Sequence, residues 1–386
     1  MGIDLPIQQK TSDSELATTI LLPSALYRHD PLLMLFKDKL RLGYFWIFAG
    51  SVLLAVIGFF ALYALPGVSY GSLVSNPLFI LLEISTAIVF YVVYLFLPHA
   101  IVYLFNRLNA NGVIGEPRQA GSTSYEVFLK KLVIWESSVW WVVGILAFIV
   151  LYLINRYLAG GPPFLRNLPL WLQISTAVLD AYIAYATLIS GIRLLIALVF
   201  VNWLFRSFTI RVNPLHPDGA GGLGVMRHIL WISAGIIFGT TLTFYQTIQI
   251  ENANGIFTSA LDLVVLIAAY IVLTTSLLLG WLFLPHQVMV KARNAALQPL
   301  ADEFQRVMAQ NEQFAGEDFH TFKANNELLH EIRKRYQLFR DTFPTWPLEL
   351  QEVRGLIAAL SLPALISLVV PYIPILFNLV ISLLPK

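Results

Sequence analysis

The sequence predicts an all-α polytopic membrane protein. The chain is 57% hydrophobic and only 12% charged, with mean hydropathy +0.71, whereas a soluble domain carries about 25% charged residues. Long apolar blocks recur along it, each long enough for a bilayer-crossing helix. Lys and Arg cluster in alternate connecting segments. A transmembrane barrel would show short alternating segments instead of continuous apolar runs. The expected architecture is six transmembrane helices paired as three helical hairpins, a cytoplasmic antiparallel helical hairpin, and a proline-broken C-terminal hydrophobic segment that either spans or re-enters. Net charge is +2, too small to argue for a nucleic-acid partner. The absence of cysteine excludes disulfides, thiolate chemistry and cysteine metal sites. No basic region followed by an apolar core stands near the start, so no cleaved signal peptide is expected.

Residues 1–41 read as a cytoplasmic N-terminal segment, with 1–29 polar and loosely held. Asp30-Pro31 signals a helix start, Asp as N-cap and Pro at the first helical position. Leu32, Leu33, Leu35, Phe36 and Leu40 alternate with Lys37, Lys39 and Arg41, the pattern of an interfacial amphipathic helix. The transmembrane domain is expected over 42–285, with apolar blocks near 42–65, 78–104, 133–154, 169–205, 228–249 and 257–285. Basic residues number five in 1–41, four in 105–132, three in 206–227 and nine in 286–354. They number none in 66–77, two in 155–168 and none in 250–256. That alternation places the N-terminus and the 207–226 loop in the cytoplasm.

Two motifs recur. Trp46-Ile47-Phe48-Ala49-Gly50 matches Trp231-Ile232-Ser233-Ala234-Gly235, and Leu95-Phe96-Leu97-Pro98-His99 matches Leu282-Phe283-Leu284-Pro285-His286. Their nearly equal offsets suggest an internal repeat relating the outer hairpins. Each proline withdraws one helix hydrogen bond. The two histidines are then either interfacial residues beside a kink or a pair sensitive to pH or anions. Residues 286–353 turn polar. Leu297, Leu300, Phe304 and Val307 on one run, and Phe322, Asn325, Leu329, Ile332, Tyr336, Phe339 and Phe343 on the other, fall at coiled-coil spacing. This predicts a helical hairpin that packs on itself or docks a partner. Residues 354–386 contain Pro363, Pro371 and Pro374 and form the broken hydrophobic segment.

Asp180 lies about 16 Å into the fourth block at 1.5 Å per residue, near the expected midplane. A carboxylate there is costly unless protonated or partnered. Hydroxyls of Thr240, Thr241 and Thr243 on the fifth block, and of Ser175 and Thr176 on the aspartate's own helix, are the candidate partners, either for a structural hydrogen bond or for a proton- or cation-linked transport path. The second candidate is the turn-rich run from Arg211 through His216-Pro217-Asp218-Gly219-Ala220-Gly221-Gly222-Leu223-Gly224 to Arg227. It satisfies Gly-x-Gly-x-x-Gly but lacks the preceding strand and βαβ unit of a dinucleotide site. Backbone N–H groups of Gly219, Gly221, Gly222 and Gly224, with Arg211, His216 and Arg227, would suit an anion or a lipid headgroup. Asp218 opposes that unless it caps the turn. A compact connector between hairpins is the competing reading. No metal site, cofactor motif or catalytic constellation is expected.

The His-Pro-Asp-Gly-Ala-Gly-Gly-Leu-Gly run, with Pro344-Thr345-Trp346-Pro347-Leu348, resembles a group of uncharacterised bacterial integral membrane proteins. The resemblance implies a bacterial cytoplasmic membrane and carries no activity or site residue with it. The expected function is a channel or transporter component for ions or small solutes, oligomeric in the bilayer. The alternative is a membrane-bound sensor or scaffold whose loop and stalk bind a cytoplasmic protein or lipid headgroups.

Overall fold

A helix satisfies its backbone hydrogen bonds within one segment, so long apolar runs fold as helices wherever water is scarce. The computed structural model of the chain describes residues 20–63, 77–118, 124–154, 170–213, 216–254, 260–313, 319–343, 345–346 and 355. The helices are α1 (Pro23–Leu26), α2 (Pro31–Leu33), α3 (Tyr44–Tyr63), α4 (Pro77–Ala110), α5 (Tyr125–Glu136), α6 (Val139–Leu153), α7 (Leu170–Ser207), α8 (Met226–Asn254), α9 (Ala260–Gln313) and α10 (Phe319–Thr342). Three apolar stretches among the described residues are long enough to cross a membrane: Ile84–Ala110, Tyr125–Leu153 and Gln173–Ser207. Apart from Gly355, the C-terminal segment expected over 354–386 lies outside the described residues.

Helix α4 is the hub, packed against α3, α7 and α8. Tyr91 stacks on Tyr182 with ring centroids 4.9 Å apart, and Tyr94 meets Tyr185 edge-on at 6.3 Å. Both partners advance by three residues, so α4 and α7 run parallel. Helix α8 runs the other way. A Cβ on its Gly235 would sit 3.5 Å from Val93, and one on Gly239 would sit 3.2 Å from Phe90 and Val89. This small-x-x-x-small face lets the two backbones approach closely. Helix α9 crosses α7 at Gly280, where a Cβ would lie 2.8 Å from Leu198. Helix α6 buries only the stripe Val142, Ile145 and Ile149 and exposes Trp140, Phe148 and Leu151. An exposed face made of large apolar residues suits lipid, not water.

Among the described residues, the structure departs from the all-α expectation at one place. Ile114–Pro117 (β1) and Phe208–Ile210 (β2) pair antiparallel, with Ile114 opposite Ile210 and Pro117 opposite Phe208. Each strand directly follows one of the parallel helices, so the ribbon ties their shared end. Strands of four and three residues leave too short an alternation to stand out beside a span.

Residues 20–29 are also held more firmly than a loose polar tail. Leu21 and Leu26 are buried in the core, and Asn106 exchanges two hydrogen bonds with the backbone of Leu21, at 3.0 and 2.9 Å. Asp30 caps α2 as predicted, accepting from the N–H groups of Leu32 and Leu33 at 3.2 and 3.1 Å. The expected amphipathic helix widens instead into a π turn over Met34–Lys39, ended by Arg41 at φ 51°.

The third block breaks at Ser137-Ser138. Ser137 donates to the Val133 carbonyl at 2.7 Å, the Trp141 indole donates to the Trp135 carbonyl at 3.0 Å, and His29 Nδ1 lies 2.5 Å from the Ser137 carbonyl. Carbonyls that a helix end would orphan are thus satisfied.

Pro98 and Pro285 stand inside unbroken helices, and their neighbouring histidines have different surroundings. His99 Nε2 lies 3.0 Å from the Tyr44 hydroxyl. His286 Nδ1 lies 2.7 Å from the Thr345 carbonyl, with its ring stacked 4.0 Å from Trp346. Helix α9 continues through residues 285 and 286 into the polar region, where α10 packs along it. Leu297, Val307, Ile332 and Phe343 are buried at that seam, Asn311 donates to Asn326 at 3.0 Å, and Phe339 faces outward.

Candidate functional site

The glycine-rich loop is built around a carboxylate. Asp218 Oδ1 accepts from the N–H groups of Ala220 at 2.9 Å and Gly222 at 3.0 Å, and Oδ2 accepts from Gly224 at 2.9 Å. To wrap one side chain this tightly, the backbone takes positive φ at Gly219, Gly221 and Gly222 (65°, 66° and 94°). That region is nearly closed to residues with a Cβ. Gly224 is required for a different reason, because a Cβ there would lie 2.9 Å from Asp218 Oδ2. Ala220, Leu223, Val225 and Met226 point into the core. Asn111 donates to the Gly222 carbonyl at 3.0 Å and fixes the loop to the end of α4.

These bonds decide what the loop offers a ligand. The amide donors of Ala220, Gly222 and Gly224 already face an anion, and that anion is Asp218. The first N–H groups of α8 are also engaged. Met226 donates to Leu223 at 3.0 Å, Arg227 to Gly224 at 3.1 Å and His228 to Val225 at 3.3 Å. Arg227 Nε donates to the Gly224 carbonyl at 3.1 Å, and Arg211 sits exposed where the ribbon leaves. His216 Nδ1 is 2.8 Å from Asp218 Oδ1. That contact needs the ring proton on Nδ1, so the longer 3.3 Å approach of the Asp218 N–H to the same nitrogen is not a hydrogen bond. Burial alone would push the Asp218 carboxyl up. The donors from Gly222, Ala220, Gly224 and His216 outweigh it and hold the group below its usual range.

Asp180 stands half-buried on α7. Thr240, Thr241 and Thr243 donate to the carbonyls of Ile236, Ile237 and Gly239 on their own helix, at 2.7, 2.7 and 3.0 Å. Helix α8 packs mainly on α4 and touches α7 little.

Sequence reasoning missed a buried charge cluster. Asp30 is 1% exposed and Arg193 2%, and Asp30 Oδ2 lies 3.1 Å from Arg193 Nη2. The contact is an ion pair without hydrogen-bond alignment, and Nε and Nη1 of Arg193 are buried with no hydrogen-bond partner. Asp30 Oδ1 accepts a 2.6 Å bond from the Tyr94 hydroxyl in addition to its two amide donors. Glu136, at the end of α5, is 2% exposed, and neither of its carboxylate oxygens has a hydrogen-bond partner. The Arg193 guanidinium is close enough to act on it electrostatically. The available signal was a lone arginine inside a span, which demands a counterion. The counterion lies 163 positions away, at a residue already assigned a different task.

A groove of about 1100 Å³ opens between α4, the start of α8 and residues 20–23. Phe96, Trp231 and Ile232 also border a smaller apolar trench with Val92, Val93 and Gly235. Among the described residues no three His, Asp or Glu side chains gather where they could hold a metal ion. Comparison with protein-family models, curated proteins and solved structures returns no match, and the reading of these sites rests on their geometry.

Proposed function

We propose that the protein is a six-span protein of the bacterial cytoplasmic membrane, with its N-terminus and stalk in the cytoplasm, and that it acts as a membrane-bound scaffold. The carrying observation is on α10. Leu328, Leu338 and Phe339 are 40%, 63% and 40% exposed, among charged and polar residues. Leu328 and Phe339 are eleven positions apart, about three turns, and so share one face. The membrane part supports the reading. The hydroxyls of Thr240, Thr241 and Thr243 donate to carbonyls of their own helix, and the buried Asp30 and Arg193 pair with each other. A photo-crosslinker at position 338 of the full chain in its membrane should give one discrete protein adduct. Phe339→Glu should remove that adduct while leaving the helical content of the protein unchanged. Adducts with lipid alone would sink the reading.

A channel or transporter component is the second reading, and the half-buried Asp180 on an apolar helix is what favours it. Proteoliposomes should then pass ions or protons, and Asp180→Asn should cut the flux at least about tenfold, the effect of a 1.4 kcal/mol change in barrier. Absence of flux over a range of voltage and pH would leave the scaffold standing.

A further inference from the structure

The groove between α4 and α8 combines two chemistries in a fixed order along the membrane normal. Its apolar trench follows α4 from Ile88 to Phe96, about 12 Å at 1.5 Å per residue. Trp231, Ile232 and Gly235 form the facing wall, and the missing side chain at Gly235 keeps it open. Beyond Phe96 the lining stays largely apolar but gains polar groups. His99, Asn106, Arg107 and His228 stand around the wider mouth, and no acidic residue lines it among the described residues. Arg107 and His228 are exposed there, and His228 meets the Tyr103 ring edge-on at 5.1 Å. Arg107 is about 16 Å further along α4 than Phe96, a separation that sets a cation at headgroup depth when the trench lies at acyl-chain depth.

We infer that this groove binds one anionic phospholipid, its acyl chain in the Val92–Phe96–Gly235 trench and its headgroup phosphate at Arg107 and His228. The argument is charge and depth complementarity. A purely apolar groove would accept any acyl chain. A cationic mouth with no acidic residue among the described lining selects the anionic lipids, an arginine near the surface contributing about fivefold in affinity, with His228 as a hydrogen-bond donor beside it. Trp231, half-exposed at the junction of the two zones, takes the place favoured for tryptophan at a membrane interface. The inference rests on the membrane placement proposed above and is independent of what the stalk binds. The chain itself also reaches the rim, since a Cβ on Gly355 would lie 3.3 Å from the Trp231 ring.

The test uses the full chain in phosphatidylcholine nanodiscs, with brominated phosphatidylglycerol or brominated phosphatidylcholine added at equal mole fraction. The Trp231 signal is isolated as the difference between the protein and Trp231→Phe, because eight other tryptophans are present. Brominated phosphatidylglycerol should quench it at about fivefold lower mole fraction than brominated phosphatidylcholine. Arg107→Gln with His228→Gln should erase that preference while leaving quenching itself. Both side chains are exposed, so the change leaves the core intact. Gly235→Leu should reduce quenching by both lipids. Equal quenching by the two lipids in the unmodified protein overturns the inference. So does a Trp231 that neither lipid reaches, which would mean that residues 356–386 fill the groove. Protection of Trp231 by millimolar glycerol phosphate, with no lipid preference, would assign the mouth to a free anion instead. None of these outcomes depends on a crosslink from the stalk, so the two readings stand or fall separately.

Discussion

Asp30→Ala is expected to lower stability by about 3–5 kcal/mol, the cost of leaving a buried charge without its partner. The substitution strands Arg193, whose Nε and Nη1 already lack hydrogen-bond partners. It also removes the acceptor for Tyr94 and the cap of α2. Thermal unfolding in detergent, followed by circular dichroism, measures the loss. A double-mutant cycle separates the contributions. Arg193→Met in the Asp30→Ala background should recover most of the loss, because an apolar residue of similar volume leaves no charge to compensate. What is not recovered measures the cap and the tyrosine. An Asp30→Ala protein as stable as its parent would show that the arm around α2 does not hold the bundle together.

Asp218→Ala should cost about 2–4 kcal/mol. It removes a charged acceptor from three amide donors, and hydrogen bonds to charged groups contribute about 1.5–3 kcal/mol each, with incomplete additivity. Hydrogen exchange should show Ala220, Gly222 and Gly224 losing protection together, while the centre of α4 keeps its own. Acid separates this effect from general instability. The folded carboxyl lies below its ordinary value of 3.8. Its stabilisation is therefore complete above that value and is lost as pH falls from 3.8 through the lower folded value. The parent protein should lose melting temperature in that window, and Asp218→Asn should lose less. Identical pH profiles for the two would remove the carboxylate from the loop's stability.

Much of the helical frame was legible because it depends on one-dimensional signals. Apolar runs located α3, α4, α7 and α8, and Asp30-Pro31 marked its own cap. The inward pattern of Leu297, Val307, Ile332 and Phe343 was visible as spacing. The glycine loop was legible as a turn, and its positive-φ glycines explain the spelling of the motif. The identity of its anion was not, because an aspartate among glycines reads equally as an obstacle to an anion and as the anion itself. The partner of Arg193 was illegible for a different reason. Pairing across 163 residues leaves no periodic trace, and the cap of α2 already accounted for Asp30. The groove was equally hidden, since it forms only where α4 and α8 lie side by side.

The ion pair between Asp30 and Arg193 also sets an order of events. Chain growth proceeds at about 5–20 residues per second, so Asp30 is made some ten to thirty seconds before its counterion exists. The arm before α3 cannot lock during that interval. It has to wait while α3, α4, α5, α6 and most of α7 are synthesised. The strand β1 waits in the same way for β2, the segment that follows α7. These two contacts thus close late on α7 and on the strand that follows it, at Arg193 and at Phe208–Ile210. A chain truncated anywhere before Arg193 would keep an open arm and an unpaired strand, both accessible to a protease. Completion of α7 and β2 is the step that lets the arm and the ribbon close, before α8 is made to pack on α4.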